Sequence, residues 1–145
     1  MTFDEPREIA ARVAASARGR PMLVLLDFDG TLCEFQPEPA MVWLRGSRRD
    51  ALRQVMSRER VTAGFVSGRR LADLRERVGL AGDMWFAGLH GLEIEGFGER
   101  FVHPDLGRAA DAIAAVSGRL DEVAARIPGS VVERKGASVA LHGRQ

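Results

Sequence analysis

Apolar and polar positions fall into short runs of two kinds along this chain. Met22–Phe28 (MLVLLDF) is apolar on both faces, the pattern of a central parallel strand. Val61–Val66 (VTAGFV) and Met84–Gly88 (MWFAG) read as two further strands. Between these two, the stretch SGRRLADLRERVG puts Leu71, Leu74 and Val78 on one helical face, with Gly79 as its stop. Pro6 to about Ala17 reads as a helix, with acids at its start and a proline in its first turn. A second helix is expected from Arg48 to about Ser57, capped by Ser47 with Asp50 three residues on. The stretch EFQPEPAMVWLRG between the first strand and that helix is an irregular connection containing Pro37 and Pro39.

Strand, crossover, strand, helix, strand defines a parallel α/β sheet. LEIE and ERFV, joined by Gly96-Phe97-Gly98, read as a hairpin. The period then changes. Leu106, Ala109, Ile113, Val116, Leu120, Val123 and Ile127 recur at three- and four-residue steps, which predicts one long helix ended by Pro128-Gly129 and packed on a sheet. SVVERKGASVALHGR alternates as two strands around Lys135-Gly136. A boundary near Val102 divides an α/β core, residues 1–102, from a helix-plus-hairpin unit, residues 103–145, that has the pattern of the beginning of a cap domain.

Composition narrows the picture. The chain has 145 residues, 46% hydrophobic and 28% charged, with a formal net charge of +1, which points to neither nucleic acid nor an anionic membrane as partner. No apolar run approaches the about 20 residues of a spanning helix. The first twenty residues have no apolar core of the kind a secretory signal needs. The lone Cys33 excludes an intrachain disulfide and fits a reducing compartment, read as the cytoplasm. Cys33 is either a reactive thiol or, the reading favoured, a small buried apolar residue. Of the 21 basic residues all but Lys135 are arginine, so the single compact ammonium marks its position.

The chemistry concentrates where the first strand ends. Asp27 and Asp29 stand at the carboxyl end of an apolar strand, where ligands bind in parallel α/β sheets, and uncompensated charge there is costly. Gly30 permits a tight turn. Two carboxylates with a backbone carbonyl suit a hard cation such as Mg2+. One carboxylate could attack phosphorus while the other handles the leaving group's proton. Ser67, in a Ser-Gly pair after the second strand, suits a helix N-cap, a role compatible with phosphate binding at the same terminus. His103 reads as a surface residue, and Trp43 and Trp85 as packing residues rather than sugar-stacking ones.

DFDGTL matches the D-x-D-G-T-L motif of the haloacid dehalogenase-like phosphohydrolases, and FVSGRR resembles their second motif, a strand ending in Ser or Thr. FAGLHGLEIE and VVERKGASVALHGR resemble segments of the trehalose-6-phosphate phosphatases, with a Gly-x-His-Gly turn in the core and E-x-K followed by H-x-R in the cap. The similarity runs from about Met22 to Arg144. It implies a partial Rossmann-like haloacid dehalogenase core followed by the start of an α+β cap. It also implies Mg2+-dependent hydrolysis of trehalose 6-phosphate through an aspartyl-phosphate, as in trehalose biosynthesis. Asp27 would be the nucleophile and Asp29 the general acid and base. Asp27's side chain and Asp29's carbonyl would hold the metal. Thr31 and Ser67 would bind phosphate. Arg69 would either add positive charge there or be a solvated first-turn arginine. His90 and Gly91 would border the sugar, and Glu133, Lys135, His142 and Arg144 would grip its hydroxyls.

The chain also departs from the pattern. The family's core lysine and late acidic motif are not visible, and Gly143 stands where the cap motif usually carries an aromatic. The resemblance thus implies an N-terminal portion of a larger phosphatase, inactive alone, with an unpaired strand edge through which copies could associate. The alternatives are a phosphatase of a related sugar phosphate and a non-catalytic short form that binds one.

Overall fold

The computed structural model describes residues 5–136 and 138–143. Strands β1 (Met22–Asp27), β2 (Val61–Val66) and β3 (Trp85–Gly88) pair in parallel, and β4 (Glu93–Gly96) and β5 (Glu99–Val102) continue the same sheet as an antiparallel hairpin, in the spatial order β1-β2-β3-β4-β5. Helices α2 (Gly46–Met56) and α3 (Leu71–Val78) pack against this sheet, and helix α1 (Pro6–Ser16), which buries no residue, precedes it. Helix α4 (Ala110–Ala124) packs on a separate two-stranded antiparallel sheet of β6 (Ser130–Arg134) and β7 (Val139–Gly143).

Apolar periodicity accounts for the core. Leu71, Leu74 and Val78 of α3 are buried, and Gly79 ends the helix in the left-handed conformation at φ 54°. They pack with Phe28, Phe65, Phe86, Leu44 and Leu52 in one cluster, in which Phe65 and Phe86 stack at 5.4 Å. The irregular connection after β1 is held from outside by two arginines of the 69–77 segment. Arg69 donates to the Pro39 carbonyl at 3.0 Å, and Arg77 donates to the Ala40 and Val42 carbonyls at 2.8 and 3.0 Å while its guanidinium lies 5.1 Å from the Trp43 ring.

Several expectations need correction. β1, central by its apolar pattern, is an edge strand among the described residues, which is the unpaired strand edge expected above, and Leu23 and Leu25 on one face are more than half exposed. Its two-sided apolar pattern has a partner strand only through β2. Helix α2 begins at Gly46, with Arg45 at the N-cap and no side-chain bond from Ser47. Helix α3 begins at Leu71, so Ser67 stands in a loop before it and is not its cap. The long helix expected from Leu106 starts at Ala110, after a short 3-10 turn over Pro104–Leu106 that the His103 imidazole caps. Val116, Val123 and Ile127 of its seam are exposed, because a two-stranded hairpin is too narrow to cover a full helix face. His103 lies half-exposed at the surface, and Trp43 and Trp85 are half-buried packing residues.

Cys33 is buried. Burial pushes its thiol pKa up, the charge of Asp29 adds to this, and Arg48 and Arg69 offset part of it. The thiolate is the reactive form, so Cys33 in the native chain should react with a disulfide reagent at neutral pH at least about tenfold more slowly than in denaturant. Equal rates, followed by absorbance of the released thiolate, would contradict this burial.

Candidate active site

The DFDGTL segment folds as a tight loop because its backbone closes on itself. The amides of Leu32 and Cys33 donate to the Phe28 carbonyl at 3.1 and 3.0 Å, and that of Gly30 donates to the Cys33 carbonyl at 2.7 Å. Phe28 between the two aspartates is fully buried and anchors the loop in the core. Asp27 and Asp29 are left at the carboxyl end of β1, facing a cleft of about 260 Å³. The opposite wall is the β6–β7 hairpin, from which Glu133, Lys135 and His142 line the same cleft.

The two carboxylates have different surroundings. Asp27 is exposed and accepts one hydrogen bond, from the Thr31 hydroxyl to Oδ2 at 2.8 Å. Asp29 is gripped on both oxygens. Arg69 donates from Nε to Oδ2 at 2.8 Å and from Nη2 to Oδ1 at 2.7 Å, and the Ser67 hydroxyl donates to Oδ2 at 3.3 Å. The guanidinium also donates from Nη1 to Asp73 at 2.9 Å, and Arg77 donates to the other oxygen of Asp73 at 2.6 Å. Burial alone would lower the Arg69 pKa, but the bonds to Asp29 and Asp73 and their charges outweigh it and leave the guanidinium above its ordinary value.

Arg69 is not the solvated arginine of one expectation: it is 7% exposed, it lines the cleft, and its donors meet two carboxylates and a carbonyl. Ser67 is buried beside it and accepts from the Arg69 amide at 3.1 Å.

His90 enters the cleft on a backbone turn that most residues avoid. Leu89 and His90 have φ of 50° and 57°, followed by Gly91 at 94°. The turn is held by amide bonds from Leu89 to the Arg69 carbonyl at 2.7 Å and from His90 to the Ser67 carbonyl at 3.0 Å. Strain of this kind persists where surrounding structure enforces it and gathers at functional sites. The His90 ring lies so close over Gly68 that a Cβ there would come within 2.6 Å of Nε2. Gly91 supplies a positive φ and does not line the cleft. In the hairpin one oxygen of Glu133 is shared by Lys135 Nζ at 3.2 Å and His142 Nε2 at 2.8 Å. β6 ends at Arg134, yet Lys135 still meets Glu133. Arg144 lies outside the described residues.

Among the residues of the lining that sequence reasoning missed are Phe35 and Gln36. Both lie in the aperiodic connection, where the available signal was an aromatic residue among polar and proline positions directly after the motif.

The donor set for a cation consists of the Asp27 carboxylate and the Asp29 carbonyl, since Asp29's carboxylate is engaged by Arg69. No cluster of three or more acidic, histidine or cysteine side chains suited to a metal occurs among the described residues. Two hard oxygens fit Mg2+, which binds through one or two carboxylates and completes its shell with water and substrate phosphate.

A mostly parallel sheet whose first strand ends in this carboxylate pair, faced by a polar hairpin, is a partial α/β fold shared with solved trehalose-6-phosphate phosphatase structures. The chain belongs to the trehalose-phosphatase family, whose model matches residues 25–145. A trehalose-phosphate phosphatase of Mycobacterium avium is 38% identical over 127 residues, which cover 87% of this chain and 32% of that protein. An uncharacterized glycosyl hydrolase of Mycobacterium tuberculosis is 33% identical over 144 residues, 99% of this chain and 11% of its own length. The solved C-terminal domain of a C. albicans trehalose-6-phosphate phosphatase matches the fold at a TM-score of 0.85 and 21% identity, covering 100% of this chain and 50% of that one. The chain thus spans about a third of the M. avium phosphatase that it matches.

Proposed function

We propose that this chain carries the nucleophile and part of the sugar-binding wall of a trehalose-6-phosphate phosphatase. The observation that supports it best is the shared cleft, with Asp27 and Asp29 on one side and Glu133, Lys135 and His142 on the other. Residues 1–102 form the core of this enzyme and residues 103–145 the start of its cap, and the cytoplasm is its place of action.

An oxygen of Asp27 attacks phosphorus, and the bond from phosphorus to the sugar oxygen breaks. Asp29 gives a proton to that oxygen. Asp29 then takes a proton from water, which attacks phosphorus and releases phosphate and Asp27. Asp29 must first leave Arg69, because both of its oxygens are turned to the guanidinium and away from the sugar oxygen; Asp73 keeps the guanidinium in place meanwhile. The Asp27 carboxylate and the Asp29 carbonyl would hold Mg2+, which would supply positive charge against the phosphate. Thr31 and Ser67 bind phosphate oxygens and His90 borders the sugar.

Lys135 tests the sugar assignment. In an active form containing these residues, Lys135→Ala should cost on the order of tenfold or more in kcat/KM on trehalose 6-phosphate and little on p-nitrophenyl phosphate, which has no sugar to grip. Equal losses on both substrates would make Lys135 structural or part of general phosphate binding.

A further inference from the structure

Phe35 lines the cleft and is nevertheless 74% exposed. Its ring edge lies directly on the DFDGTL loop. A Cβ at Gly30, where φ is +82°, would come within 2.7 Å of the ring's Cζ and 2.8 Å of Cε2. The absence of a side chain at Gly30 is what lets the ring stand there, beside the loop that carries Asp27 and Asp29. Among the described residues the other exposed phenylalanines, Phe97 and Phe101, lie at or on the β4–β5 hairpin, and Phe97 packs against Trp85 at 5.5 Å. The polar groups of the cleft's far wall, Glu133, Lys135 and His142, are carried by the other sheet. The cleft thus combines an anion-handling end, a polar wall and one open aromatic surface.

From this arrangement we infer that Phe35 is a specificity-determining residue. Its ring forms the platform on which the apolar C–H face of a sugar rests while the hydroxyls meet Glu133, Lys135 and His142. A pyranose has one face of slightly positive C–H groups, and the face of an aromatic ring is slightly negative. An apolar surface left open to water in a concave site gains when such a face covers it. The inference rests on the sugar-phosphate reading of the site and adds to it the residue that separates a sugar phosphate from bare phosphate.

The test is calorimetric titration of the 145-residue chain, in Mg2+, with trehalose 6-phosphate and with inorganic phosphate. Phe35→Ala should weaken trehalose 6-phosphate about tenfold and leave inorganic phosphate unchanged, which also shows that the variant is folded. Phe35→Trp should hold trehalose 6-phosphate within about threefold of the original chain. Unchanged affinity of Phe35→Ala for trehalose 6-phosphate, with Lys135→Ala weakened, would overturn the role of Phe35 and leave the sugar-phosphate reading standing. Equal loss of both ligands in Phe35→Ala would also overturn it, since the ring would then only support the carboxylate loop. An original chain that binds trehalose 6-phosphate no better than inorganic phosphate would remove the reading itself, and this inference with it.

Discussion

Replacing Asp27 with asparagine should abolish phosphate release, by at least about 10⁴-fold, in any active form that contains these residues. The carboxamide is neutral, a poor nucleophile and a weaker ligand for a hard cation. The substitution should leave the fold alone. Asp27 is exposed and held only by the Thr31 hydroxyl at 2.8 Å, so stability should move by no more than about 0.5 kcal/mol. Phosphate release and thermal melting measured together separate the two effects. Turnover retained in Asp27→Asn, with an unchanged melting temperature, would rule out an aspartyl-phosphate.

Arg69→Ala should do the reverse and destabilise the protein before it says much about chemistry. The guanidinium joins Asp29 on the carboxylate loop, Asp73 on α3 and the Pro39 carbonyl, so its removal leaves Asp29 without a cationic partner and Asp73 with Arg77 alone. Losing one member of a buried pair costs about 3–5 kcal/mol. Asp29 and Asp73 keep roughly a third of their side-chain surface in water, which brings the expected cost down to roughly 2–4 kcal/mol. For a domain of this size that is a fall in melting temperature on the order of 10 °C. Arg69→Lys should recover only part of it, because an ammonium cannot hold both oxygens of Asp29 in a fixed fork. The Arg69 pKa is raised above its ordinary value, so the stability from its charge is fully present below that value and is lost only as strongly alkaline pH passes the raised one. Arg69 therefore adds no pH dependence near neutrality. A melting temperature unchanged in Arg69→Ala would mean that this clamp is not formed in solution.

The contrast between Asp27 and Asp29 shows where a single sequence stops being informative. Strand ends, the β4–β5 hairpin and the buried face of α3 were legible because each follows a period of two or of 3.6 over neighbouring residues. The carboxylate pair was legible because charge at the end of an apolar strand is an anomaly that needs an explanation. Which of the two would be neutralised was not legible. That depends on Arg69 and on the Pro39 carbonyl reaching the same point from distant parts of the chain, and no local pattern records such a meeting. Phe35 escaped for a related reason: outside any periodic element, an aromatic residue reads alike whether it faces a core, a ligand or water. The α4 seam misled in the opposite direction. Its spacing announced a continuous apolar contact, and the surface available to it proved smaller than the pattern.

The cleft also has an unequal mechanical character. Its carboxylate wall is built into a five-stranded sheet and a common core, whereas its Glu133–Lys135–His142 wall belongs to a two-stranded sheet that shares no ladder bond with the first. Where the hairpin tip approaches the larger sheet's side, it does so through a flexible group: the Arg70 guanidinium lies against Gly136, close enough that a Cβ there would sit 2.7 Å away. Opening the cleft by displacing the hairpin would thus exchange side-chain contacts and leave both sheets' hydrogen bonds whole. The compliance of the site lies between its walls, so a bulky ligand can enter and leave at low elastic cost while Asp27 stays at a fixed position on β1.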